Sequence, residues 1–287
     1  NRLGEMYELG RGVERDYATA HRWYETAVVG GSAQAMTNLG TIYENGLGVP
    51  VDFSKARTWY ERGAAAGDPS SSNYIGILFE TGRGVSQDLG QAQLWYERAA
   101  AQGEAAAMRN LGQFYENGRG VNRDLTKARS WYEKSAAAGE AAAMSNLGLL
   151  YEGGRGVARD YAKAREWYES GVAGGEKSSM TNLGRFYEQG LGTTRDMSKA
   201  LALYEKAAAL GDAPAMYNLG VLYENGRGIP RNLSESRRWY EKAAEAGDVD
   251  AMRNLASIYQ HGRGVAPNSE LSRNWSAKAA RAAAAAQ

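Results

Sequence analysis

Residues 107–136 read AMRNLGQFYENGRGVNRDLTKARSWYEKSA, and this stretch decides the fold. Its Leu111-Gly112 pair returns as Leu3-Gly4, Leu39-Gly40, Ile75-Gly76, Leu147-Gly148, Leu183-Gly184, Leu219-Gly220 and Leu255-Ala256, every 36 residues and without insertion. Tyr115 belongs to an aromatic column of the same step: Tyr7, Tyr43, Phe79, Tyr151, Tyr187, Tyr223, Tyr259. Trp131 belongs to another, of Trp23, Trp59, Trp95, Trp167, Trp239 and Trp275, with Leu203 in one place. Such self-similarity marks stacked helical hairpins, in which a repeat buries its faces only against its neighbours.

Residues 32–67 illustrate one repeat. Ala35, Met36, Leu39, Gly40, Ile42 and Tyr43 fall at helical spacing and predict helix A over about 33–45. Gly46 stops that helix by entering the left-handed region. Asp52 is the expected N-cap of helix B, in a column of Asp16, Asp88, Asp124, Asp160, Asp196, Asn232 and Asn268. Asn232 and Glu235 have capping-box spacing. Helix B then runs to about residue 66, with Phe53, Ala56, Trp59, Tyr60 and Gly63 inward, and Asp68-Pro69 opens the next helix. The mid-helix Gly40 column costs about 1 kcal/mol per site relative to Ala. Close helix approach, with glycine opposite Trp and Tyr, is the expected reason. On that reading Gly112→Ala or Gly148→Ala is mild, whereas Leu clashes.

The eight repeats are read as one all-α solenoid over residues 1–287. Repeat 1 begins inside helix A and is expected to be truncated; the opening Asn1-Arg2-Leu3 without Met reads as a fragment. Repeat 8 is a degenerate cap: glycine gives way to Ala256, glutamate to Gln260 and tyrosine to Ser276.

Net charge is +1, from 34 basic and 33 acidic residues, which predicts no nucleic-acid partner. There is no cysteine, so disulfides and thiolate chemistry are excluded. No apolar run approaches the roughly 20 residues of a membrane span, so no direct membrane insertion is expected. His21 and His261 lie far apart, and neither a metal nor another cofactor is expected.

Ala107 to Val121 and Asp124 to Ala136 carry the pattern Ala-x-x-x-Leu-Gly-x-x-Tyr-x-x-Gly-x-Gly-Val, then Asp-x-x-x-Ala-x-x-Trp-Tyr-x-x-Ala. This resembles the Sel1-like repeat, a relative of the tetratricopeptide repeat with a longer loop. The resemblance implies a right-handed α/α superhelix with helix A on the inner face, and a non-catalytic scaffold or adaptor that binds a protein or peptide segment. It leaves open a second reading: a regulatory or sensing arm of a larger bacterial enzyme, such as a caspase-like protease, or of an envelope signalling protein. Bacterial envelope, periplasm and cytoplasm all stay open.

Invariant columns hold the fold, so variable columns on helix A are the candidate partner contacts. The column of Asn38 supplies Asn110, Asn146, Asn182 and Asn218, broken by Tyr74. These amides could bind a partner backbone or a neighbouring repeat. The column of Thr37 supplies Arg109 and Tyr217; that of Thr41 supplies Ile77, Gln113, Leu149, Arg185 and Val221. Together they predict a mixed apolar and basic wall suited to an acidic or amphipathic segment. The glutamates Glu8 to Glu224 precede an arginine column by three residues and read as local salt bridges, not as catalytic carboxylates. The Gly-Arg-Gly-Val loops lack the strand and lysine of a phosphate loop.

Overall fold

The structure, a computed structural model, describes residues 1–285. Among them are sixteen helices in eight pairs, one pair per repeat. They group into two compact units, one spanning Asn1–Glu140 and the other beginning at Ala141. In the first unit α1 (Arg2–Leu9) pairs with α2 (Tyr17–Val29), α3 (Ala33–Asn45) with α4 (Phe53–Ala65), α5 (Pro69–Thr81) with α6 (Leu89–Ala101), and α7 (Ala105–Asn117) with α8 (Leu125–Ala137). In the second, α9 (Ala141–Gly153) pairs with α10 (Tyr161–Ala173), α11 (Lys177–Gln189) with α12 (Met197–Ala209), α13 (Ala213–Asn225) with α14 (Leu233–Glu245), and α15 (Val249–His261) with α16 (Ser269–Ala285). Odd-numbered helices are A helices and even-numbered ones B helices. A helices also touch directly, α5 with α7 and α9 with α11.

Caps and turns form as the sequence dictates. Asp52 accepts from the Lys55 amide at 2.9 Å, and its equivalents Asp16, Asp88, Asp160 and Asp196 do likewise for their own helices. Gly46 closes α3 at φ 67°, its N–H donating to Ile42 O. Asn232 is only half of a capping box. It accepts from Ser234 and Glu235, but its own N–H is bonded to Tyr223 O and the Glu235 carboxylate turns to Arg238 at 2.7 Å.

The core lies between repeats. Ala20 and Tyr24 of α2 cluster with Ala35, Leu39 and Ile42 of α3, and Trp59 of α4 closes over them. Tyr240, Ala243 and Ala244 of α14 meet Ala251, Met252, Leu255 and Ile258 of α15, with Trp275 alongside. Trp59, Trp95, Trp131, Trp239 and Trp275 thus each pack on a core that begins on the B helix of the preceding repeat, and the atoms nearest the mid-helix glycine belong to tyrosine. A Cβ built on Gly40 would stand 2.3 Å from Tyr60 Cε1, and one on Gly148 2.3 Å from Tyr168 Cε1. The collision begins with the first methyl group, so alanine is not a mild replacement here.

Each buried tyrosine then donates its hydroxyl to the glutamate four residues beyond that glycine. Tyr60 reaches Glu44 at 2.7 Å, Tyr168 reaches Glu152 at 2.7 Å and Tyr204 reaches Glu188 at 2.9 Å. Burial first, and the adjacent carboxylate second, push these tyrosine pKa values far up. The other carboxylate oxygen takes an arginine from the loop of the following repeat, not from three residues on: Arg83 for Glu44 at 3.3 Å, and Arg227 for Glu188 at 3.5 Å. The local salt bridges expected from spacing are therefore inter-repeat bonds. Gly, Tyr and Glu form one packing unit, and repeat 8 replaces all three together.

Candidate binding surface

The column of Thr37, expected to face solvent, is mostly buried between repeats. Thr37 Oγ1 donates to Asp68 Oδ2 at 2.5 Å, and Thr181 Oγ1 to Asp212 Oδ2 at 2.6 Å. Asn73 accepts from Asn110 at 3.0 Å, Arg109 pairs with Glu140 at 3.2 Å, and Ser145 meets Ser178 at 3.2 Å. The column varies because each junction has its own matched pair. At three junctions the partner is the N-cap residue of the next A helix, aspartate for Thr37 and Thr181 and the longer Glu140 for Arg109, whereas Asn73 and Ser145 bond side chains on the next A helix itself.

This relocates several candidate residues. Asn110 is buried in the Asn73 contact, so its amide is used internally. Asn38 is likewise bonded, to Asn1 Oδ1 at 3.0 Å. Asn146, Asn182 and Asn218 are half-buried in the second unit. Arg109 is held by Glu140, and Arg185 makes two 2.8 Å bonds to Glu152. Burial alone lowers the Arg185 pKa, but the bond and charge of Glu152 outweigh it, and the net shift is upward. Arg185 stands in for the loop arginine, since repeat 6 has Leu191 in that place. The basic part of the expected wall is thus neutralised from within.

The apolar part remains. In the first unit Tyr74 stacks on Tyr60 at 4.9 Å and 11°. Burial, then Glu44, Glu104 and Asp68, hold its hydroxyl protonated above the ordinary tyrosine range. Ile77 and Gln113 are half-buried on the same set of A helices. In the second unit Leu149 is 40% exposed. Tyr217 leans on Tyr240 at 5.7 Å, and Val221 rests on the α14–α15 core. The aromatic candidates are therefore backed by buried tyrosines that fix their orientation. No group of three or more His, Cys, Asp or Glu among the described residues could hold a metal ion. No helix among them is long and apolar enough to cross a membrane.

The Sel1 repeat profile matches residues 1–28, 33–68, 69–104, 105–140, 141–176, 177–212, 213–248 and 249–283. The chain belongs to the Sel1 repeat family. Its sixteen helices are eight Sel1 pairs stacked as a solenoid, and Sel1 repeats account for it almost end to end. Among solved structures it is similar to c5321, a protective antigen of uropathogenic Escherichia coli with an SLR fold, at 33% identity and a TM-score of 0.68. That match covers 98% of this chain and 60% of the antigen. A Sel1 repeat protein from Oxalobacter formigenes is 32% identical with a TM-score of 0.75, over 85% of this chain and 96% of that one. The immunity protein Pa5087 of Pseudomonas aeruginosa shares the fold at 20% identity and a TM-score of 0.57, over 75% of this chain and 82% of its own. A search of curated proteins found no match.

Proposed function

We propose that this Sel1 chain is a non-catalytic scaffold that holds an apolar or amphipathic segment of another protein against its A helices. One observation carries the reading. Ile77, Leu149 and Val221, A-helix positions not consumed by inter-repeat bonds, carry apolar side chains that stay partly accessible, Leu149 at 40% exposure above all. Natural selection of charge would have been the inexpensive choice for such a position in a soluble array. The contacts proposed are Tyr74, Ile77 and Gln113 in the first unit, and Leu149, Tyr217 and Val221 in the second, with Asn146, Asn182 and Asn218 offering amides. Arg109, Asn110 and Arg185 act as supports and not as primary contacts.

The test places a photo-crosslinking residue at Leu149, and separately at Arg129 on the B helix, where Arg129 pairs with Glu133 of its own helix at 3.4 Å. Discrete adducts from position 149 and none from 129 are expected in the native host. Adducts from 129 alone move the partner to the B-helix face and overturn the assignment. With a partner in hand, Leu149→Ala is expected to cost about 2 kcal/mol of binding, with stability changed by about 0.5 kcal/mol or less.

A further inference from the structure

The tryptophan column carries a second pattern, independent of the A-helix surface. Five of its indoles are covered by a cation three residues on: Arg62 over Trp59 at 4.2 Å, Arg98 over Trp95 at 5.1 Å, Lys134 over Trp131 at 4.3 Å, Lys242 over Trp239 at 4.1 Å and Lys278 over Trp275 at 4.2 Å. These are i,i+3 cation–π contacts on helix B. Trp167 is different. Ser170 stands where the cation should be, and its hydroxyl turns back to Glu166 O at 2.9 Å.

The residue preceding each tryptophan sharpens the contrast. It reads Arg22, Thr58, Leu94, Ser130, Glu166, Arg238 and Asn274, so the one carboxylate of the set adjoins the one indole of the second unit that has lost its cation. A cavity of about 330 Å³ opens there, lined by Tyr151, Lys163, Glu166, Trp167 and Ser170. Lys163 lies over Tyr151 at 5.6 Å, as Lys55, Lys127 and Lys199 lie over their own tyrosines. It is a standard part of the repeat, and it shares the cavity wall with Trp167 while stacking on Tyr151. Trp23 also lacks a following cation, having Thr26, but its neighbour is Arg22, and the local charge there is already positive.

We propose that Trp167 and Glu166 form a receptor for an arginine side chain presented by a partner polypeptide. The guanidinium takes the place that Arg62 or Arg98 takes over its own indole, flat on the ring and within reach of the Glu166 carboxylate. Arginine is the chosen occupant because its planar cation stacks on an aromatic face while still donating hydrogen bonds to a carboxylate.

The indole N–H signals of the intact chain report this site by NMR, with the Trp167 signal identified through Trp167→Leu, a residue the column already tolerates at Leu203. The probe is a blocked Gly-Arg-Gly peptide at millimolar concentrations. Gly-Lys-Gly and the citrulline peptide, which keeps the shape without the charge, serve as controls. Expected is a saturable shift of Trp167 with arginine, a smaller one with lysine and none with citrulline, while Trp59 and Trp23 stay still. Ser170→Lys installs the internal cation of the other repeats and should weaken the arginine response by about tenfold or more; Glu166→Gln should weaken it by about threefold. A citrulline shift equal to that of arginine, a lysine shift exceeding it, equal movement of all indoles, or an undiminished response in a folded Ser170→Lys variant overturns the proposal.

Discussion

Replacing Gly148 by alanine separates helix propensity from packing. In an isolated helix the change gains about 1 kcal/mol. In this fold the new methyl carbon would lie 2.3 Å from Tyr168 Cε1 and 2.8 Å from its Cζ, against the roughly 3.5–4.0 Å of an ordinary carbon contact. The ring has nowhere to go: its hydroxyl is bonded to Glu152 at 2.7 Å, and Phe186 meets it edge-on at 5.2 Å. Overpacking of this kind costs about 1–3 kcal/mol, and the larger end applies to a ring anchored at both ends. The net expectation for Gly148→Ala is a loss of about 1–2 kcal/mol, read as a lower urea midpoint by circular dichroism. Tyr168→Ser alone should cost about 3–5 kcal/mol, as for other buried aromatic truncations. In the Tyr168→Ser background, however, Gly148→Ala should turn stabilising by about 1 kcal/mol, a coupling of about 2–3 kcal/mol across the cycle. The chain already contains this pairing in Ala256 and Ser276. A Gly148→Ala variant as stable as the parent, or additive changes in the double variant, would refute the close-approach argument.

Alkaline pH should unfold the chain cooperatively. The buried tyrosines have folded pKa values raised above the ordinary 10.0, so their contribution is complete below pH about 10 and is lost as pH rises further. Tyrosinate absorbance should therefore appear together with loss of helix; normal titration near pH 10 with the helices intact counts against it. Arg185→Ala should cost about 1 kcal/mol by leaving Glu152 with one partner fewer, and Leu191→Arg should restore it; failure of the second change to compensate rejects the substitution of one arginine for the other. Thr181→Val should cost about 1.5–3 kcal/mol, because the largely buried Asp212 loses a hydroxyl donor; an unchanged melting temperature rejects the junction role.

The period, the helix limits and the caps were legible because each is enforced locally and eight times over. Gly46 must be left-handed and Asp52 must cap whatever the neighbours do. The junction chemistry was hidden for the opposite reason. Thr37 and Asp68 are 31 residues apart, as are Arg109 and Glu140, and variation within one column reads as surface freedom until both columns are compared. The available signal was partial: aspartate stands 31 residues after both Thr37 and Thr181, and glutamate 31 after Arg109. Glu44 misled through proximity in sequence: an arginine three residues on suggests a local bridge, whereas the bonded Arg83 belongs to the next repeat. Leu149 stayed on the surface as expected; Asn110 did not, because its amide has a buried acceptor in Asn73.

Matched junctions give the array an address system. Cutting out residues 177–212 would keep every helix in phase, since the excised length is one period. Yet Ser145, 3% exposed, would then meet Pro214 in the place of Ser178, and a proline has no hydroxyl to offer. Evolution can lengthen or shorten such a chain by whole periods only where the two new faces happen to carry compatible keys. Shuffled versions of this protein should accordingly tolerate some splice points and reject others that look identical in the repeat consensus.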